Sequence, residues 1–175
     1  MHPLYSFNSD NILNNISLSD SPSIGSKFGN GLKVTDVSNI QWWGSEALNY
    51  GSQIDGKAIL LTLQDSSEDS IFEFETDFME TTPNSSIKIN TIFEKGTYCE
   101  VCILTYNDDK TNEIASPYTA LGDDKTQKTS WYISQFNRIT KINSKYFKVR
   151  FKYHFGQHEG GDVVKIGGHF ITKYN

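Results

Sequence analysis

The stretch KYFKVRFKYHF, residues 145–155, alternates without a break. Phe147, Val149, Phe151, Tyr153 and Phe155 fall on one side of an extended chain, and Lys148, Arg150, Lys152 and His154 fall on the other. Successive side chains of a strand point to opposite faces, so this period of two predicts a strand with an apolar inner face and a wet outer one. Antiparallel sheets packed on one side show this pattern. SIFEFETDF (70–78) reads the same way, with Phe72, Phe74 and Phe78 opposing Glu73, Glu75 and Asp77. KAILLTLQ (57–64) is apolar on both faces, which predicts a central strand covered on both sides.

Working outward, SIKINTIFE (86–94), TYCEVCILTY (97–106), SWYISQF (130–136) and VVKIGGHFITKY (163–174) have the same character, with weaker candidates in ILNNISL, GLKVTDV and NIQWW. Helical periodicity is hard to find. The connectors QIDGK, TTPNSS, FEKGTY, YNDDKTN, GDDKTQK and GQHEGGD carry turn chemistry. Residues 106–129 form the longest stretch without a strand pattern and read as a long loop. Many short antiparallel strands at this spacing predict one all-β domain over residues 1–175, an antiparallel β-sandwich of the jelly-roll kind.

The balance of 21 acidic against 16 basic residues gives a net charge of −5, with no Lys/Arg block of the kind that tracks phosphates, so nucleic acid is not the expected partner. No apolar run approaches about 20 residues, so no membrane span is expected. The opening MHPLYSFNSDNILNN shows no signal peptide, so an extracellular or cell- or virion-surface location would need another route or an export signal elsewhere. Cys99 and Cys102 are three apart on a predicted strand and should face opposite ways, neither bridging nor sharing a metal.

The stretch NIQWWGSEALNYG (39–51) places two tryptophans side by side. On a regular strand one of them must face away from the core. Ile40 shares a face with Trp42, which puts Trp42 inside and leaves Trp43 outside beside Gln41, unless a bulge at Gly44 reverses the order. Flat exposed rings suit sugars, because a pyranose presents an apolar C–H face while its hydroxyls seek polar partners. Trp43, Tyr50, Glu46 and Asn49 are therefore candidate ligand-binding residues. A second set is Tyr98, Glu100 and Tyr106, which share the mixed face of the 97–106 strand, with Arg150 in reach if the 145–155 strand joins the same sheet. Tyr118 in the long loop completes the candidates. His154, His158, Glu159 and His169 lack metal-site spacing. No nucleophile elbow, phosphate loop or zinc-protease helix is present, so no catalytic residue is assigned and a non-enzymatic role is expected.

The order of pieces is an amide-rich FNSDNILNN, an early tryptophan in NIQWWGS, the DGKAILLTL, TSWYISQF and NSKYFKVRFKYHF strands, and a closing GGDVVKIGGHFIT. This order resembles the carbohydrate-binding modules with a galactose-binding-like jelly roll. The resemblance implies a non-catalytic domain that targets a larger protein to a polysaccharide or other glycan, for instance a tethered glycoside hydrolase. It implies Trp131 in the core. It also implies a structural calcium, for which Asn8, Asp10 and Asp162 are the candidate ligands, although Gly167 and Gly168 stand where the family commonly has an acid. The alternative expectation is a structural or receptor-binding domain of a phage tail or other surface particle, among virion proteins.

Overall fold

The structure is a computed structural model that describes residues 3–6, 18–29, 31–49, 55–64, 69–94, 96–123, 133–156 and 158–174. Within them run fourteen strands: β1 (Pro3–Ser6), β2 (Lys27–Phe28), β3 (Leu32–Ser38), β4 (Ile40–Asn49), β5 (Asp55–Leu63), β6 (Ile71–Glu75), β7 (Met79–Glu80), β8 (Ser85–Glu94), β9 (Tyr98–Tyr106), β10 (Ile114–Ala115), β11 (Thr119–Asp123), β12 (Ile133–Ile142), β13 (Tyr146–His154) and β14 (Val163–Tyr174). A six-stranded sheet has the order β12-β8-β14-β5-β4, with β1 on β14. An eight-stranded sheet has the order β10-β9-β13-β6-β3-β2, with β11 on β9 and β7 on β13. The chain changes sheet at most of its connections, from β3 to β4, β5 to β6, β7 to β8 and again at each step from β11 to β14. That weave is the jelly-roll habit of an all-β antiparallel sandwich.

The strict alternation of β13 holds along its whole length. Phe147, Val149, Phe151, Tyr153 and, just past its end, Phe155 are buried, between residues that are half-buried. They meet Ile59, Leu61, Ile87, Ile89, Val164 and Ile166 of the facing sheet in one core. Phe28, Trp43 and Phe72 join the sheets edge to edge, with ring centroids 5.4 Å apart for Phe28–Trp43 and 6.2 Å for Trp43–Phe72. Burial of each such ring contributes about 1.5–3 kcal/mol. Tyr153 is wholly buried, and its hydroxyl and that of Thr91 on the opposite sheet are 2.7 Å apart, which satisfies both polar groups inside the sandwich. β5 lies between β14 and β4 as its apolar pattern predicts, and Ala58, which alternates with the core residue Ile59, is also fully buried.

Several expectations are corrected. Trp43 is 5% exposed and belongs to the core, while Trp42 is 36% exposed, the reverse of the assignment from regular alternation. Ile40 pairs with Leu63 and Trp42 with Thr62, so Gln41 is an extra residue in β4. This bulge, at Gln41 and not at Gly44, turns Ile40 and Trp43 inward together. Phe78 does not continue the inner row of β6, because the strand ends at Glu75; the ring packs instead against Tyr106 and Tyr146 in a second apolar cluster with Cys102 and Leu104. The stretch expected as a long loop carries β10 and β11. Cys99 and Cys102 are unbridged, Cys99 in the main core and Cys102 in the second cluster, as their spacing predicts. Burial raises the pKa of both thiols.

Trp43→Ala should lower the free energy of unfolding by about 3–5 kcal/mol. Trp42→Ala should change it by less than about 0.5 kcal/mol. Urea midpoints of the two variants check this, and similar losses would contradict the bulge at Gln41.

Candidate ligand-binding face

The outer face of the eight-stranded sheet is built in rows by strand register. Lys33 of β3 lies opposite Glu75 of β6, which lies opposite Arg150 of β13. One step along, Glu73 of β6, Lys152 of β13 and Glu100 of β9 form the next row, a cation between two carboxylates. Beyond it come Ile71, His154 and Tyr98. Along each strand the outward charges share one sign, acidic on β6 and basic on β13, so opposite charges meet across the strands, the cross-strand arrangement that sheets favour.

The centre of the face is a network around two buried carboxylates. Arg150 donates from Nη2 (2.9 Å) and Nε (3.3 Å) to Glu75 Oε2, and the lysine ammoniums of Lys33 and Lys148 stand 3.5 and 3.7 Å from Glu75 Oε1. Glu73 accepts from Thr35 Oγ1 at 2.8 Å and from the Tyr118 hydroxyl at 2.5 Å, with Arg150 Nε 3.9 Å away. Glu73 and Glu75 are each 5% exposed, although alternation predicted a wet row. The stems of the flanking lysines and Arg150 cover them while the charged heads neutralise them. Buried charge of this kind is tolerable only when paired and hydrogen-bonded. Burial opposes the charge of Arg150, but hydrogen bonds to Glu75 and Tyr118 outweigh it and raise its pKa. Burial, then the Glu73 bond, pushes the Tyr118 phenol up to about 12. Burial and Glu113 likewise raise Tyr106, whose hydroxyl donates to Glu113 Oε2 at 2.7 Å.

Tyr118 arrives by an interruption in the sheet edge. β10 and β11 both pair with β9, and between them Ser116 is pinned by its backbone N–H to Ile103 O (2.9 Å) and by its hydroxyl, which accepts from Ile103 N (2.9 Å). The segment then leaves the edge, and Tyr118 reaches across β9 and β13 to Glu73 on β6. Lys152 Nζ lies 5.3 Å from its ring centroid, a cation–π contact. At Glu73, the acceptor of the Tyr118 hydroxyl, a trough of about 360 Å³ opens, bordered also by Ile24, Thr35, Glu113 and Arg150.

Of the sequence candidates, Tyr98, Glu100, Tyr118 and Arg150 are brought onto this one face. Tyr98 donates to Glu100 Oε1 (3.2 Å), and Glu100 Oε2 is 2.9 Å from His154 Nε2. Glu100 thus pairs with His154, and Arg150 with Glu75, instead of with each other. Tyr106 is on the face but only 8% exposed, with Phe78 packed against it, so it is not a stacking platform. Trp43 is removed from the candidates by its core position. Glu46 lies on the opposite side of the sandwich, 2.7 Å from Lys165 Nζ on the six-stranded sheet. Asn49 ends β4, and Tyr50 and Trp131 lie outside the described residues. Asn8 and Asp10 also lie outside them. Asp162 Oδ2 accepts the Glu159 N–H at 3.0 Å and stands 3.8 Å from His158 Nδ1. Among the described residues no three His, Cys, Asp or Glu side chains are grouped to hold a metal. The residues missed from sequence are Lys33, Thr35, Glu73, Glu75 and Glu113. The acidic row of β6 facing the basic row of β13 was a usable signal for two of them.

No family model matches the chain, and no curated protein matches it. Solved structures do. The enzymatically active domain of tailspike protein 4 from bacteriophage CBA120 superposes at TM-score 0.49 and 8% identity, over 82% of this chain and 19% of that one. A structure of carbohydrate-binding modules from the β-sandwich superfamily, described for promiscuous specificity, matches at TM-score 0.49 and 9% identity, over 96% of this chain and 63% of that one. TmCBM61 in complex with β-1,4-galactotriose matches at TM-score 0.43 and 14% identity, over 75% of this chain and 88% of that one. Other matches are carbohydrate-binding modules of the CBM4, CBM16 and CBM22 types. This chain spans less than two thirds of the first two matching chains. At these scores the likeness assigns no ligand.

Between about pH 10 and about pH 12 the folded chain retains the Tyr118 proton that the unfolded chain releases, so stability falls as pH rises through that window. The urea midpoint of Tyr118→Phe should therefore decline less steeply than that of the wild type over this range. Parallel declines would show that the folded chain does not retain the Tyr118 proton in this window.

Proposed function

We propose that the chain is a non-catalytic carbohydrate-binding domain and that the outer face of the eight-stranded sheet holds the glycan. The observation that carries this reading is the half-exposed Tyr118 ring, fixed over Lys152 and bonded to Glu73, which in turn lines a trough that offers carboxylate, guanidinium and hydroxyl groups. A pyranose would lay its C–H face on Tyr118 or on Ile24, which is 68% exposed at the trough. Its hydroxyls would meet Thr35, Glu113 and Arg150. The floor is built on strands and locked by ion pairs, so binding demands little ordering of side chains. The domain would direct a larger protein, such as a glycoside hydrolase, to an extracellular or cell-surface polysaccharide, with modest single-site affinity raised by multivalency.

A glycan array with the isolated chain should show binding, with dissociation constants between about 1 μM and about 1 mM, equivalent to about −8 to −4 kcal/mol. Tyr118→Ala should weaken it at least about tenfold while far-UV circular dichroism stays that of the wild type. An array without hits, together with turnover of a glycan substrate, rejects the binding role in favour of an enzyme.

A further inference from the structure

At the β2 side of the same face, the first row extends one strand further: Lys27 of β2 lies opposite Lys33 of β3. Like charges placed directly across a pair of strands are destabilising. The full row reads Lys27, Lys33, Glu75, Arg150, with one carboxylate among three cations. A small cavity of about 160 Å³ opens onto this row, and Lys148 from β13 enters it as a further cation. Two acids also border it. Glu75 already accepts from Arg150 through Oε2, and Asp77 accepts the Phe78 N–H through Oδ1 at 2.8 Å.

The lysines have unfilled donor capacity. Lys33 and Lys148 stand 3.5 and 3.7 Å from Glu75 Oε1, beyond ordinary hydrogen-bond range, and Lys27 has no ion-pair or hydrogen-bond partner among the described residues. Each ammonium carries three donors. Lys148 is also held in place from below by the Phe78 ring, 4.5 Å away. On the opposite wall Gly31, at φ 78°, sits so close to Asp77 that an added Cβ would be 2.9 Å from Asp77 Cβ, so this turn is shaped for glycine. The cavity shares Lys33 and Glu75 with the 360 Å³ trough, so the two adjoin at these side chains. Its volume is below the range of pockets that enclose whole ligands, about 300 Å³ and upward, and suits a substituent better than a ring.

We propose that this lysine pocket receives an anionic substituent, the carboxylate of a uronic acid or a sulfate ester, of a glycan whose sugar ring occupies the adjoining trough. The inference rests on the glycan-binding reading and narrows it from glycans in general to acidic ones. The anion would accept hydrogen bonds from Lys27, Lys33 and Lys148 and relieve the repulsion between the first two.

Isothermal titration of the full chain tests it, using an oligogalacturonate, the same oligosaccharide as its methyl ester, a sulfated galacto-oligosaccharide that carries no uronic acid and a neutral galacto-oligosaccharide. At least one acidic ligand should bind about tenfold or more tightly than the neutral ones, and the tighter of the two identifies the group. Lys27→Gln removes a cation with no carboxylate partner among the described residues, so the fold should tolerate it; it and Lys33→Gln should each remove most of the acidic preference. Lys141→Gln, on β12 of the other sheet, should leave it unchanged. Neutral glycans bound as well as acidic ones, or acidic binding indifferent to both pocket variants, overturn this proposal alone. Failure of every glycan to bind overturns the glycan reading with it.

Discussion

β13 constrains the whole molecule, because its period of two makes the core and the charged face one decision. It is paired on both sides, with β9 and with β6, so its register fixes theirs. Each ring it sends inward, from Phe147 to Tyr153, commits its neighbour to the outer face: Lys148, Arg150, Lys152 and His154 stand where they do because Phe147, Val149, Phe151 and Tyr153 are buried. A slip of one residue would put four cationic or ionisable heads into the sandwich, and no partner there could hold them. The precision of the outer face is thus inherited from the packing of the inner one.

That inheritance explains why a dense charge network can sit on an open sheet. An exposed salt bridge contributes little, since water competes for both ions and two long side chains must be ordered. Here the backbone has already placed Lys33, Glu75 and Arg150 side by side, and their stems exclude water from Glu73 and Glu75. The network's main effect is rigidity and not net stability, because desolvation offsets much of the attraction between buried ions. It holds Tyr118 through Glu73 and so connects the sheet edge to the middle of the face. A ligand arriving there meets a finished surface.

The all-β sandwich was legible wherever alternation was unbroken. The inner row of β13, the rings Phe72 and Phe74, the doubly apolar β5 and the separation of Cys99 from Cys102 could all be read from period two. The grouping of Tyr98, Glu100 and Arg150 was legible as a conditional, since it required only that β9 and β13 share a sheet. What could not be read depended on partners. Glu73 and Glu75 look like a solvated row until Arg150, Lys33 and Lys148 are placed around them. Lys27 and Lys33 look unremarkable in SKFGNGLKV until the turn sets them opposite each other. Trp43 and Glu46 lie three apart in sequence but end up in the core and on the far face.

Three of the register shifts in the described strands re-aim side chains that regular alternation would misplace, and none of the three leaves a mark in the sequence. The extra residue Gln41 in β4 turns Trp43 inward. In β3, Val34 pairs with Phe74 and Asp36 with Glu73, so Thr35 is the extra residue, and its hydroxyl is thereby aimed at Glu73 Oε1. In β11, Leu121 is extra between Ala120 and Gly122, and it is buried against the core just after the chain has left Tyr118 out on the face. A bulge costs one unpaired position and gains a change of direction, which is why bulges gather where a side chain must be re-aimed. Of these three, the one at Thr35 supplies a hydroxyl that lines the trough, and the one in β11 returns the strand to its register after Tyr118. The charged rows come from regular pairing, and the ring and hydroxyl that would orient a ligand come from its interruptions.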